Sequence, residues 1–230
     1  MYLPQHFEET RPEVLHALLR AHPLGLVVHV GDDGAPVANP VPFMLESAPA
    51  GADGGAPSGP GRLIAHVARA NPLWRQAAGQ NVLVVFQGAD GYVSPGWYPS
   101  KAETGKVVPT WNYAMVQARG TLRALDDAAA ARVLVSRLTA EHEAGRPRPW
   151  AVDDAPDDYI AAMLKGIVVI EVELVSLVGK YKLSQNRSAA DRGGVLHGLA
   201  ELAAGSDAAP ARQADALAQA MTEHGGPAAC

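Results

Sequence analysis

Hydrophobic and polar positions along this chain change period several times, and each change marks an element. Val14, Leu15, Leu18 and Leu19 recur at helical spacing after Thr10 and Glu13, a pairing that caps a helix start, so a short helix is expected to end near Ala21. The pattern then shifts to strands. "LGLVVHV" reads as one, "GDDG" as the turn after it, and "APVANPVPFML" as a second strand carrying Pro36, Pro40 and Pro42. Successive N–H groups of a strand point to opposite neighbours. The three prolines share parity, so their missing donors face one side, which is expected to be a sheet edge.

"RLIAHV" and "NVLVVF" are further strands, separated by a helix start at Asn71 and Pro72. Asp90-Gly91 reads as a hairpin-type turn. A long strand follows "VPTWNY" to about Leu125. An Ala-rich helix capped by Asp126 or Asp127 runs to about Glu143, and "DAPDDYIAAML" is a second helix capped by Asp153 or Asp154. In "IVVIEVELVSL", Ile170, Val172 and Leu174 alternate with Glu171 and Glu173, so one face meets the core and the other meets water. "SAADRGGVLHGLAEL" is expected as a last helix interrupted at Gly193-Gly194. Strands are not separated by regular crossover helices, which argues against a doubly wound parallel sheet. The expected fold is mainly β, a small antiparallel barrel with peripheral helices.

Composition adds two low-complexity stretches to this picture. Residues 47–60, "SAPAGADGGAPSGP", read as a flexible surface loop, and the Ala/Gly/Pro-rich residues 203–230 as a loose tail; residues 1–202 make a single domain. No apolar run approaches the ~18 residues of a membrane span, and the polar, acidic start has no secretory character, so a cytoplasmic protein is expected. The one cysteine, Cys230, precludes an internal disulfide, and the eight histidines show no metal-ligand spacing. A net charge of −5 argues against a generic nucleic-acid binder. Walker-A, dinucleotide-glycine and GxSxG signatures are absent, as is a helix-turn-helix pattern.

Three segments carry candidate chemistry. In "HVARANP", Arg69 ends a strand and a helix begins two residues later. The forked guanidinium and the helix start suit a phosphate; alternatively Arg69 is a strand-end cation and Asn71 only a cap. The second segment gathers Tyr92, Trp97, Tyr98, Trp111 and Tyr113, five of the ten Trp and Tyr in the chain. Such rings stack on a flat ligand or pack a barrel end, and the interleaved Thr110 and Asn112 favour a ligand. The third, "GKYKLSQNRSAADR", sets Lys180, Lys182, Arg187 and Arg192 against the single acid Asp191. It reads as an anion-binding loop or as a solvated one.

Together, "HVARANPLW", "VVFQGADGYVSPGWY", "VPTWNY", "PWAVDDAPDDYI" and "GKYKLSQNRSAADRGGV" resemble the signature blocks of the PaiB-type FMN-binding negative transcriptional regulators, from "MYLPQHFEE" to about Leu199. The resemblance implies an antiparallel split β-barrel like that of pyridoxamine-phosphate oxidases, and a homodimer with FMN at the subunit interface. It implies His66, Arg69 and Asn71 near the flavin phosphate, and Trp111, Asn112 and Tyr113 near the isoalloxazine or the dimer seam. It implies a further contribution from Lys182, Gln185, Asn186 and Arg187. No catalytic residue and no metal follow from it. Three functions remain open at this stage: a flavin-linked regulatory protein, a small FMN-dependent oxidoreductase, and a flavin-free interaction or DNA-binding module.

Overall fold

The computed structural model describes residues 1–48, 59–205 and 208–226. Among them lie eight strands: β1 (Glu8–Glu9), β2 (Leu24–Val30), β3 (Pro36–Pro42), β4 (Met44–Glu46), β5 (Arg62–Ala68), β6 (Asn81–Val93), β7 (Thr110–Leu125) and β8 (Ile167–Lys182). Seven α-helices accompany them: α1 (Pro12–Ala21), α2 (Leu73–Gln76), α3 (Ser100–Thr104), α4 (Ala128–Glu143), α5 (Asp157–Lys165), α6 (Ala189–Gly205) and α7 (Ala208–His224). Residues 49–58 of the loop expected over 47–60 lie outside the described residues, as do 206–207 and 227–230.

The strands form one mainly antiparallel sheet in the order β3-β2-β6-β7-β8-β5-β4, with β1 on β8. This is the expected split-barrel class with peripheral helices, and the sheet does not close on itself. β3 is an edge strand, as its prolines require. Pro36, Pro40 and Pro42 stand opposite Val30, Leu26 and Leu24, so every missing N–H falls on the side away from β2.

The chain divides into two compact units. A terminal unit comprises Met1–Leu18, Gln87–Val116 and Val178–Cys230; a central unit comprises Leu19–Phe86 and Gln117–Leu177. The central core holds Val27, Leu63, Val84, Phe86, Leu122 and Ile170, all buried, with Phe43 edge-on to Phe86. The terminal core holds Val93, Val116, Leu183, Val195, Leu217 and Met221. Period-2 burial along β2 and β7 places alternate side chains inward, as the sequence pattern requires.

Several elements differ from the sequence expectation. Asp90-Gly91 is not a turn: β6 runs straight through it, and Gly91 does not adopt the positive φ such a turn needs. Gly91 serves close packing instead, since a Cβ there would lie 2.8 Å from Leu217 Cδ2. α2 is a single turn of four residues, too short for a cooperative helix. Asp153 and Asp154 sit in a separate 3-10 turn before α5, which starts at Asp157 behind Pro156. Gly193-Gly194 does not interrupt α6. Gly194 and Gly198, one helical turn apart, admit Trp97: a Cβ at either would fall 2.0 Å from its carbonyl oxygen or 2.4 Å from its ring.

The expected loose tail contains α7, whose Ala214, Leu217 and Met221 are buried. Its composition resembles a linker, but alanine is also the strongest helix former, and three apolar positions on one side dock it. β8 likewise runs further than its apolar run, to Lys182. Glu9 and Glu8 of β1 pair with Gly179 and Lys180, so a distant strand extends it. Lys180 and Lys182 are therefore strand residues, not loop residues.

Candidate functional site

The sequence-derived site residues divide between the two units. His66, Arg69 and Asn71 lie in the central unit; Trp111, Asn112, Tyr113, Lys182, Gln185, Asn186 and Arg187 lie in the terminal unit.

In the central unit, Arg69 follows the last residue of β5. Its guanidinium is spoken for. Nη1 and Nη2 donate to the two oxygens of Asp126 at 2.7 and 2.6 Å, Nε donates to the Lys165 carbonyl at 2.7 Å, and Nη2 also donates to the Ile167 carbonyl at 3.1 Å. The bond from Arg69 holds the Asp126 carboxyl below its usual range. A guanidinium has five N–H donors in a planar fork, and the edge that matches a phosphate already holds a carboxylate. The fork expected to face a phosphate faces the Asp126 carboxylate here. Asn71 does act as a cap, accepting from the Leu73 N–H at 2.9 Å, and its amide donates to Asn39 at 3.3 Å. α2 is too short to carry a useful dipole. His66 keeps a polar atom in reserve: Nδ1 is buried without a hydrogen-bond partner, and burial holds the imidazole below its ordinary pKa. With Leu138, Thr139, His142 and Trp150 it lines an open groove of about 320 Å³.

In the terminal unit, β7 separates the residues that "VPTWNY" gathers. Trp111 and Tyr113 project from one face and Asn112 from the other. Trp111 is exposed and edge-on to Tyr92. Asn112 is 1% exposed. Its Nδ2 donates to Ser184 Oγ at 2.9 Å and approaches Met221 Sδ at 3.5 Å, while Ser184 Oγ lies 3.3 Å from Asn112 Oδ1. Gln185 braces its own chain, accepting from Leu183 N at 2.7 Å and donating to the Tyr181 carbonyl at 2.5 Å. Asn186 is exposed.

The cations of this unit contrast with Arg69. Lys180 is buried, donates to the Tyr2 carbonyl at 3.0 Å, and stands 5.6 and 5.5 Å from the Tyr2 and Tyr113 ring centroids. Lys182 donates to Thr110 Oγ1 at 2.6 Å and to the Trp111 carbonyl, with Phe7 beneath it. Arg187 lies 4.8 Å from the Tyr98 ring centroid. Among the described residues, no carboxylate comes within 4.0 Å of Lys180, Lys182, Arg187 or Arg192. The nearby buried acid, Asp191, is engaged by the N–H and hydroxyl of Ser100. Burial, reinforced by Arg187 and Lys180, holds the Lys182 ammonium below the usual lysine range. Clustered cations without a carboxylate counter-charge among the described residues are placed to take an anion.

This donor set fits FMN, a phosphate dianion attached to a flat polar ring. Lys180, Lys182 and Arg187 would supply charge; the Tyr98 ring beside Arg187 is buried. Sequence reasoning placed Lys180, Thr110 and Ser184 in the candidate segments but not among the site residues, and missed Tyr2 and Met221. The two lysines had a usable signal: they lie two apart at the end of an alternating strand, hence on one face. The others are joined to the cluster only by tertiary contact.

Residues 1–176 match the family described as "Putative FMN-binding domain". An uncharacterized protein of Aspergillus fumigatus is 34% identical over 239 residues, spanning 88% of this chain and 92% of its own. The Bacillus subtilis protease synthase and sporulation protein PAI 2 is 30% identical over 200 residues, spanning 86% of this chain and 89% of its own. Among solved structures, the flavocytochrome Anf3 of Azotobacter vinelandii superposes with a TM-score of 0.54 at 17% identity, over 78% of this chain and 72% of that one, which establishes a shared fold. No helix among the described residues is long and apolar enough to cross a membrane.

Proposed function

This chain belongs to the FMN-binding domain family, and on that premise we propose that it is a flavin-binding regulatory protein of the PaiB type, working as a homodimer. Membership assigns it FMN as cofactor. The observation that carries the site assignment is the cation cluster of the terminal unit. Among the described residues, Lys180, Lys182 and Arg187 have no carboxylate partner, and they stand beside aromatic rings. In this reading Lys182 and Lys180 hold the phosphate, and Arg187 adds charge at the rim. When bound, the flavin supplies redox chemistry; the protein contributes binding, orientation and field. The regulatory role draws on the B. subtilis relative, whose name ties it to protease synthesis and sporulation.

A homodimer is supported by β2. Its outward positions Leu24, Leu26 and Val30 are exposed yet apolar, where a strand facing water alternates with polar residues, and exposed Val37 follows on β3. A second copy covering this face accounts for the pattern. Leu24→Glu with Leu26→Glu is then expected to turn a dimer into a monomer in sedimentation.

The decisive experiment titrates the purified protein with FMN and, separately, with riboflavin, which lacks the phosphate. Each charge-assisted hydrogen bond to phosphate contributes roughly 1.5–3 kcal/mol, so FMN should bind at least about tenfold tighter than riboflavin. Equal affinity would remove the lysines from the phosphate role, and no binding of either at saturation would remove the flavin reading altogether.

A further inference from the structure

We propose that α7 is a movable cover over the polar pair Asn112 and Ser184, and that its withdrawal opens this pair to the edge of a flat, hydrogen-bonding heterocycle. The inference rests on the flavin-binding reading for the identity of that heterocycle.

The first observation is unused hydrogen-bonding capacity. A carboxamide donates twice and accepts twice. Among the described residues, the Asn112 carboxamide, 1% exposed, meets only the Ser184 hydroxyl and the Met221 thioether, and a thioether is a weak acceptor. Buried polar groups are ordinarily matched by better partners. The second observation is backbone conformation. Ser184 has φ 67°, and among the described residues no other non-glycine residue has a positive φ. A serine held there is strained, and strain of this kind gathers at ligand-binding and switching positions.

The third observation is what lies on top. Leu217 of α7 packs where a Cβ on Gly91 would be, Met221 sits on Asn112, and His224 meets the Tyr181 ring edge-on at 5.3 Å. His224 Nδ1 is itself buried without a partner. α7 thus lies across β6, β7 and β8 at the residues that flank the pair. Its grip on the sheet is narrow: Ala214, Leu217 and Met221 make one buried stripe, Gln213 adds an exposed bond to Asp90 at 2.9 Å, and its broad contact is with α6. α6 is held more firmly, with Gly194 and Gly198 closed onto Trp97. An element docked by one stripe over a poorly satisfied polar floor is the one expected to open first.

Opening has a chemical consequence. Lys182 donates to Thr110 and to the Trp111 carbonyl, immediately before Asn112 in β7. With Met221 withdrawn, the Asn112 carboxamide becomes continuous with the cation cluster. An acceptor and a donor side by side match the pyrimidine-like edge of a flavin whose phosphate rests on Lys182.

The test keeps the full chain. In a Cys230→Ser background, Asp90→Cys and Gln213→Cys are joined by a short bis-maleimide, with singly modified cysteine variants as controls. The association rate of FMN, followed by flavin fluorescence, is expected to fall at least tenfold on cross-linking. A rate unchanged within twofold, or faster, overturns the proposal. Hydrogen exchange on the unmodified protein gives an independent reading. Amides of 214–224 should exchange at least tenfold faster than those of 195–199, together with 183–184, and FMN should slow them. Equal protection of α6 and α7 overturns the cover. If the unmodified protein binds no FMN, the flavin reading fails, and the exchange contrast between α7 and α6 still decides the cover.

Discussion

Arg69 in the central unit and Lys182 in the terminal unit are both cations at strand ends with polar neighbours, and they differ in one respect. Arg69 faces Asp126, which occupies its fork with two bonds of 2.6–2.7 Å. Lys182 faces a hydroxyl and a carbonyl, with Lys180 and Arg187 close enough to depress it. An exposed ion pair such as Arg69–Asp126 adds little stability, but it consumes the geometry a phosphate would need. Lysines that meet only neutral acceptors keep their charge available. The comparison teaches that a basic residue in a motif reports a possible anion site, and that its carboxylate partner decides whether the site is open.

The largest expected effect comes from removing the free cations. Lys180→Met with Lys182→Met should weaken FMN binding by about a hundredfold or more, read by fluorescence titration, since two charge-assisted contacts disappear. A loss of less than about threefold would erase the distinction between the two corners. The next test gives Lys182 what Arg69 already has. Thr110→Glu places a carboxylate beside its ammonium and should weaken FMN binding by about tenfold, with circular dichroism confirming the fold.

A smaller effect is expected from pH. Because the Lys182 ammonium is held below the usual lysine range, it loses its charge before an ordinary lysine does as pH rises. FMN affinity should therefore decline by about severalfold on the alkaline side, while Lys182→Arg, always charged, keeps a flat profile. Identical profiles would show that Lys182 does not meet the phosphate.

His66 offers a test on stability. Its folded pKa is depressed by burial, so the unfolded chain takes up a proton first as pH falls through 6.5. Stability should drop over that window by less than about 1 kcal/mol, and His66→Gln should flatten the drop in urea titrations. The smallest effect belongs to Arg69. Arg69→Met should leave FMN affinity within about twofold, because its fork is engaged by Asp126. A tenfold loss would place the phosphate in the central unit after all.

Much of the fold was legible because its signals are local. The proline parity of 36, 40 and 42 specified an edge, the alternation of 170–174 specified a one-sided strand, and Asp127 capped α4 as expected, accepting from Ala129 N at 3.0 Å. The misreadings share a cause. Gly91 and Gly194 looked like punctuation, yet each makes room for a residue distant in sequence. A glycine that turns the chain and a glycine that admits a neighbour are the same letter. The site was legible as a set of segments but not as contacts. "VPTWNY" pointed to Asn112, and the strand's period then turned Asn112 inward while Met221, more than a hundred residues on, covered it.

The sequence by itself determined the mainly antiparallel class, the edge position of β3, the span of the long strand after "VPTWNY", and the segments that hold charge and aromatic surface. These follow from periodicity, capping and φ restriction, which act over a few residues. Only the tertiary structure decided that β8 extends to carry Lys180 and Lys182, that the Ala-rich tail docks as a helix, and which cations have carboxylate partners. Those outcomes depend on pairings such as Glu8 with Lys180 and Arg69 with Asp126, between residues far apart in the chain. Charge availability and burial are properties of such neighbours, and neighbours are set by the fold.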